Sequence, residues 1–144
     1  MKYDMNNKSI QELENDFWPD QKEYPSNLIE RCHDYRKIPI YELQIHQIVT
    51  LLIQDIGADF LMPIVIDRMA NNILEEDDYD GRSFIWSIDN FSDMIWRRNP
   101  KLYNTIINLI KDKQITLEAS LGIKGFNRLL TKMEMKNPAN NVRL

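Results

Sequence analysis

From Gln44 onward, Ile45, Ile48, Val49, Leu52, Ile53 and Ile56 recur at i, i+3, i+4, i+7, i+8 and i+11. A helix of 3.6 residues per turn gathers that spacing onto one side, whereas a strand scatters it over both faces. The stripe needs an apolar surface to cover it, and the next segment supplies one. Phe60, Leu61, Ile64, Val65, Ile66 and Met69, within Phe60 to about Asn71, leave almost no polar side. A helix apolar nearly all round belongs at the centre of a domain. Between the two, Gly57 suits the left-handed residue that closes the first helix and Asp59 the cap of the second, with Pro63 in its first turn.

The remaining elements fall in around this pair. Ser9-Ile10-Gln11-Glu12 has the capping-box pattern, so a short helix should run to about Asn15, and Trp18-Pro19 should end it. Pro25-Ser26-Asn27 restarts a helix with Leu28, Cys32 and Tyr35 on one face, limited by Pro39. Glu75-Glu76-Asp77-Asp78-Tyr79-Asp80-Gly81 has no apolar stripe, ends in an Asp-Gly turn signal and reads as an exposed loop. Short helices are expected at Ser83 to Ile88 and Ser92 to Arg98. Pro100 opens another, with Leu102, Ile106, Leu109 and Ile110 buried, and a last one from Gly125 to Glu134 buries Phe126, Leu129, Leu130 and Met133. Sustained period-2 alternation and Asn-Gly turns do not occur. The fold class is all-α: a single compact domain over residues 1–136, of seven or eight short to medium helices, with 137–144 as a flexible tail.

At 144 residues, with 43% hydrophobic and 28% charged residues and only four glycines and six prolines, the chain is long enough for folding to bury roughly two-thirds of the extended surface. The single cysteine, Cys32, has no partner for an internal disulfide and suits a reducing compartment. The polar opening Met1 to Lys8 lacks the apolar stretch of a secretion signal. The longest apolar runs are broken by Asp55, Asp59, Pro63 and Asp67, far short of a membrane span. A cytoplasmic protein without a membrane segment is expected.

Charge is sorted along the chain. The 39 residues from Asp55 to Asp93 hold ten acids against only Arg68 and Arg82, a formal −8 in a chain of net −4, while residues 94–144 hold three acids and ten bases. A patch of one sign speeds encounter with an oppositely charged partner and disfavours wrong ones, and an acidic one repels nucleic acid. Its natural complement is a basic protein; the alternative is a solvated acidic face with no partner.

Catalytic and metal chemistry find little support. Cys32-His33 is the only thiol and imidazole pair, but neighbours on a helix point about 100° apart, and Cys32 lies on the apolar stripe as a buried small hydrophobe. Only His33 and His46 are available, with no CxxC or HxxxH spacing for zinc. Asp77-Asp78-Tyr79-Asp80-Gly81 lacks the alternating acids of a calcium loop and places Ile88 where its twelfth-position glutamate should stand. Phosphate-binding glycine motifs are absent. No cofactor, metal or catalytic residue is expected. The basic residues Arg97, Arg98, Lys101, Lys111, Lys113, Lys124, Arg128 and Lys132 offer a rival reading, a helical regulatory protein binding nucleic acid. The sequence pI near 5.2 weighs against it. Pairing of those bases with the acidic third is the simpler explanation.

The order Leu13-Glu14, Trp18-Pro19, Pro25-Ser26, Leu28, Arg31-Cys32-His33, Arg36-Lys37-Ile38-Pro39, Glu42-Leu43, Leu51-Leu52-Ile53-Gln54, Gly57, Leu61-Met62-Pro63, the loop Asp78-Tyr79-Asp80-Gly81, then Phe91 and Trp96 resembles one family of immunity proteins of bacterial contact-dependent growth inhibition (CDI) systems. The resemblance spans roughly residues 9–110. It implies a helical cytoplasmic protein without catalysis of its own that binds and blocks the toxic C-terminal domain of a large exported effector, as a 1:1 heterodimer. Such toxins are often nucleases, and some helical immunity proteins look to be paired with EndoU-type RNases. The pattern usually has an acid after the loop glycine, where this chain has Arg82. The shared residues Trp18, Arg31-Cys32-His33, Pro39, Gly57 and Pro63 look like fold determinants, so no contact set transfers. Charge complementarity to a basic nuclease cleft makes Asp55, Asp59, Glu75, Glu76, Asp77, Asp78 and Asp80 the expected steering residues, with Tyr79 either an aromatic anchor or folded back on the core.

Overall fold

The computed structural model describes residues 8–141. The polar stretch up to Asn7 and the last three residues of the expected tail lie outside the described residues. Among the described residues eight α-helices follow in order: α1 (Ile10–Glu14), α2 (Asn27–Tyr35), α3 (Ile45–Ile53), α4 (Ala58–Asn71), α5 (Phe84–Ser87), α6 (Asp93–Arg98), α7 (Pro100–Asp112) and α8 (Gln114–Glu134). Single 3-10 turns stand at Ile40–Glu42, Ile88–Asn90 and Pro138–Asn141. The last of these turns occupies part of the segment expected to be a flexible tail, and Asn140 Nδ2 donates to the Glu134 carbonyl at 3.0 Å. Extended pairing among the described residues is limited to two isolated bridges, Ser9 with Pro39 and Glu76 with Ser83. The architecture is all-α.

Helix α4 is the centre, packed against α3, α5, α7 and the Ile40–Glu42 turn. Leu61, Met62 and Val65 on α4 are fully buried, as are Ile48, Leu51 and Leu52 on the facing side of α3. At about 1.5–3 kcal/mol per buried aliphatic side chain, this contact alone rivals the whole net stability of a domain. Pro63 stands in the second turn of α4 rather than the first, with its ring exposed. The helix runs on through it, because Asp59, whose carbonyl loses its partner, is itself exposed to water.

The junction between α3 and α4 departs from expectation. Helix α3 ends at Ile53, and the left-handed residue that turns the chain is Asp55, at φ +59°. Gly57, at φ +68°, caps the start of α4, so Asp59 lies inside the first turn. A Cβ on Gly57 would meet Ile10 Cδ1 at 2.7 Å, which is how α1 comes to pack against this corner. The α1 helix starts on its capping box, with Glu12 Oε1 accepting from the Ser9 amide at 3.0 Å. It stops on the left-handed Asn15, three residues before Trp18-Pro19.

The segment between α1 and α2 is held by Arg36, which is 1% exposed. Its Nη2 donates to Glu14 Oε1 at 3.0 Å and to the Asp16 carbonyl at 2.7 Å, and the guanidinium lies 3.8 Å from the Trp18 ring centroid. His33 is packed edge-on between Trp18 and Tyr24, at 4.9 and 4.7 Å. On α7 the buried stripe is Tyr103, Ile106, Ile107 and Ile110, one position round from the expected one, with Leu102 and Leu109 half-buried. Helix α8 extends well upstream of Gly125 and is broken at Gly122, whose φ of 76° and ψ of 165° are non-helical.

Candidate functional site

The acidic loop after α4 is a tight, hydrogen-bonded turn. The Asp77 amide donates to the Arg82 carbonyl at 2.7 Å and the Gly81 amide returns to the Asp77 carbonyl at 2.8 Å. Gly81 sits at φ +74°, where a side chain would strain the backbone. Asp80 Oδ1 accepts the Arg82 amide at 3.0 Å, the local bond that makes aspartate a turn residue.

At the base of the loop Asp77 turns inward. Its Oδ2 accepts the His46 amide at 2.7 Å and lies 2.8 Å from His46 Nδ1, while Oδ1 accepts the Tyr79 amide at 2.6 Å. The His46 amide is in the first turn of α3, where backbone donors lack helical partners and negative charge is favoured. Burial works to raise the Asp77 pKa; the hydrogen bonds from His46 and Tyr79 outweigh it and hold the carboxyl below its usual range. Tyr79 stays 75% exposed, its ring 4.4 Å from the His46 ring at an interplanar angle of 31°. The aromatic is therefore displayed on the surface and braced from beneath at once.

Ion pairing divides the acids of the middle third. Arg98 clasps Asp55 through both terminal guanidinium nitrogens, Arg68 holds Glu75 in a bidentate pair through Nε and Nη2, and Arg82 holds Asp80 at 3.3 Å. Lys132 and Lys136, from the basic third, reach Asp89 at 3.8 Å and Asp93 at 3.0 Å. Pairing between the two thirds thus accounts for Arg98, Lys132 and Lys136. Arg97, Lys101, Lys111, Lys113, Lys124 and Arg128 make no ion pair among the described residues. Of the ten acids, Asp59, Asp67, Glu76 and Asp78 make no ion pair among the described residues.

Three of these four acids, Asp67, Glu76 and Asp78, line one open groove of about 770 Å³ between the loop and the Ile40–Ile45 segment. Its floor is apolar, with Ile40, Leu43 and Ile64, and Tyr41 at its edge is 46% exposed. Glu75, Arg68 and Asp77 complete the polar wall. On the other side of the loop, Tyr79 and Asp80 form one wall of a second groove. The loop is a ridge between two depressions.

The profile of a family described as CDI immunity proteins matches residues 12–106, two-thirds of the chain. The chain belongs to that family. Neither a curated protein nor a solved structure matches it. For this CDI immunity protein the matched segment runs from α1 into α7 and includes the loop and both grooves.

The structure brings together Glu75, Glu76, Asp77, Asp78, Tyr79 and Asp80 on the ridge, and sets Asp55 and Asp59 apart, beside Arg98 at the α3–α4 corner. Asp67, Tyr41 and His46 were not singled out from the sequence. A signal for Asp67 exists: Asp59, Pro63 and Asp67 repeat every four residues along α4 and are all exposed, a narrow polar stripe that the surrounding apolar residues obscure. His46 carries no such signal, since its role rests on a carboxylate 31 residues away.

Cys32 is 4% exposed, and burial pushes its thiol pKa up, away from the thiolate that nucleophilic chemistry needs. Among the described residues no three His, Cys, Asp or Glu side chains converge as a metal site would require, and no helix is long and apolar enough to cross a membrane.

Proposed function

We propose that this CDI immunity protein neutralises the toxic C-terminal domain of a cognate effector by binding it one to one in the cytoplasm, without catalysis, and that the Asp78–Tyr79 ridge with its acidic groove is the contact surface. The observation that carries this reading is the clustering of unpaired carboxylates: Asp67, Glu76 and Asp78 face one apolar-floored groove beside an exposed, braced tyrosine. A basic partner gains most there, because these charges are not already compensated. Tyr79 is the aromatic anchor and the unpaired Asp59 adds to the long-range field, while Asp55, Glu75 and Asp80 are compensated by Arg98, Arg68 and Arg82. Asp77 serves by holding the ridge in place.

A cleft that cleaves RNA is basic, so the toxin that best fits this surface is a nuclease, with an EndoU-type ribonuclease the first to test. Tight inhibitors of this kind bury about 1,600 Å² in all, enough to cover the ridge and the groove together and occlude an active site. The test is co-purification with the C-terminal domain of a large exported protein whose gene adjoins the one for this chain, with RNA cleavage assayed before and after complex formation. A 1:1 complex with cleavage abolished supports the reading. A complex with no RNase activity to suppress removes the nuclease part, and absence of binding removes the whole.

A further inference from the structure

The second groove, about 450 Å³, has the opposite electrical character from the first. Arg31 and Arg82 face it together with Tyr35, His46, Tyr79 and Asp80. Arg31 on α2 makes no ion pair or side-chain hydrogen bond among the described residues, and Arg82 is engaged only by its neighbour Asp80 at 3.3 Å. Both side chains line the same groove as Tyr35 and Tyr79, and both are exposed. Beside a segment of formal −8, Arg31 of α2 and Arg82 of the loop stand exposed next to an aromatic wall.

A partner that is basic throughout its contact face fits the first groove and is repelled by the second. Like charges brought together on docking cost binding energy as surely as opposite charges supply it. The two grooves lie on either side of one short turn, so a partner seated on the ridge meets both. Arginine, with its planar fork of donors, is the side chain suited to a bidentate hold on a carboxylate.

Resting on the docking reading above, we infer that the second groove receives an acidic side chain, Asp or Glu, of the toxin domain, gripped by Arg31 and Arg82 beside Tyr79, while basic residues of the same toxin enter the first groove. Recognition then depends on an ordered pair of opposite charges across the ridge. A uniformly basic nuclease is turned away.

The experiment measures association and dissociation rates of the purified toxin domain with the full chain, comparing wild type, R31E/R82E and E76K/D78K. All four residues are exposed at the surface, and thermal melting of each variant verifies that it folds. The inference expects R31E/R82E to weaken the complex by roughly 30-fold or more, chiefly through faster dissociation. It also expects reversal of one toxin Asp or Glu to Arg, found by scanning each in turn, to restore binding to R31E/R82E and not to E76K/D78K. Retention of binding within about threefold by R31E/R82E, with E76K/D78K losing it, overturns the inference and leaves the docking reading standing. Unchanged binding by both variants, or none by wild type, overturns both. A second arm titrates inorganic phosphate and a short RNA oligonucleotide against the free protein. Saturable binding that R31E/R82E abolishes, with toxin affinity untouched, assigns the groove to phosphate and overturns the inference.

Discussion

Replacing Asp77 separates a structural acid from a recognition acid. Three N–H groups converge on its carboxylate: the His46 amide at 2.7 Å, the His46 imidazole Nδ1 at 2.8 Å and the Tyr79 amide at 2.6 Å. Hydrogen bonds to a charged group contribute about 1.5–3 kcal/mol each, but an opened loop lets water reach some of the donors. Asp77→Ala should therefore destabilise the fold by about 3 kcal/mol rather than by the full sum. For a domain of this size that lowers the melting temperature by roughly 6–12 °C. Asp77→Asn keeps one acceptor oxygen and presents an NH₂ to the His46 donors, so it should fall about midway. Amide hydrogen exchange at Tyr79 and Gly81 should accelerate in both variants, since the turn loses its base.

The pH dependence has a definite sign. The folded-state pKa of Asp77 is lowered, so the unfolded chain binds its proton more readily. The stability it contributes is complete above the ordinary carboxylate range and is lost as pH falls through the lower folded value. The difference in stability between wild type and Asp77→Ala should accordingly be constant near neutrality and shrink on acidification. An Asp77→Ala protein that melts within about 1 °C of wild type and loses only salt-sensitive association with the toxin would make Asp77 a surface charge and refute this argument.

Gly57 and Gly81 both have positive φ, but only a Cβ at Gly57 strikes a neighbour, Ile10 Cδ1 at 2.7 Å. Gly81→Ala should cost only the backbone strain, about 1–2 kcal/mol, and Gly57→Ala about 1–3 kcal/mol more, because the fully buried Ile10 has nowhere to go; equal melting temperatures would show that Ile10 gives way freely. Iodoacetamide should label Cys32 in the native protein at least about 100-fold more slowly than in denaturant, the rate following local opening; rapid native labelling would contradict its burial. Glu76→Gln/Asp78→Asn and Asp55→Asn/Asp93→Asn remove the same formal charge. The first pair should slow association with the toxin, weaken its salt dependence and speed dissociation, and the second should leave dissociation unchanged; equal effects in surface plasmon resonance would mean that bulk charge alone matters.

The parts of the fold legible in the sequence are those whose signal is local. The α3 stripe from Ile45 to Leu52, the apolar α4, the Ser9–Glu12 box and Pro100 at the first position of α7 are set by residues within a few positions of each other, and the structure has them in place. The stripe stops short of Ile53, which is exposed at the helix end, and of Ile56, which lies past it. The first half of α8 leaves no signal in the sequence because Leu117 is its only buried residue, with Ile115 87% exposed, so an apolar stripe never forms. At the α3–α4 corner both Asp55 and Gly57 take left-handed angles, and the sequence favours glycine for a role that the aspartate fills. In the candidate site the ridge was visible as a charge run and its Asp-Gly turn. What stayed hidden is which acids are neutralised, because Arg98 reaches Asp55 and Lys136 reaches Asp93 across 43 residues each.

That long-range pairing changes what the acidic third can do. A segment of −8 spread evenly over a surface attracts cations from every direction and holds them nowhere in particular. Arginine and lysine from the basic third quench the acids at Asp55, Asp89 and Asp93, and Arg68 quenches Glu75 within the segment, while Asp67, Glu76 and Asp78 are left to face one groove. The attraction that remains is directional. Ordering an exposed tyrosine at a contact costs about 0.5–1.5 kcal/mol, and here Asp77 and His46 fix Tyr79 before any partner arrives. Folding has thus already met the ordering cost that docking would otherwise carry. An inhibitor that must reach a toxin before its substrate does needs both properties: a field that points at the site, and an anchor already in position when the toxin gets there.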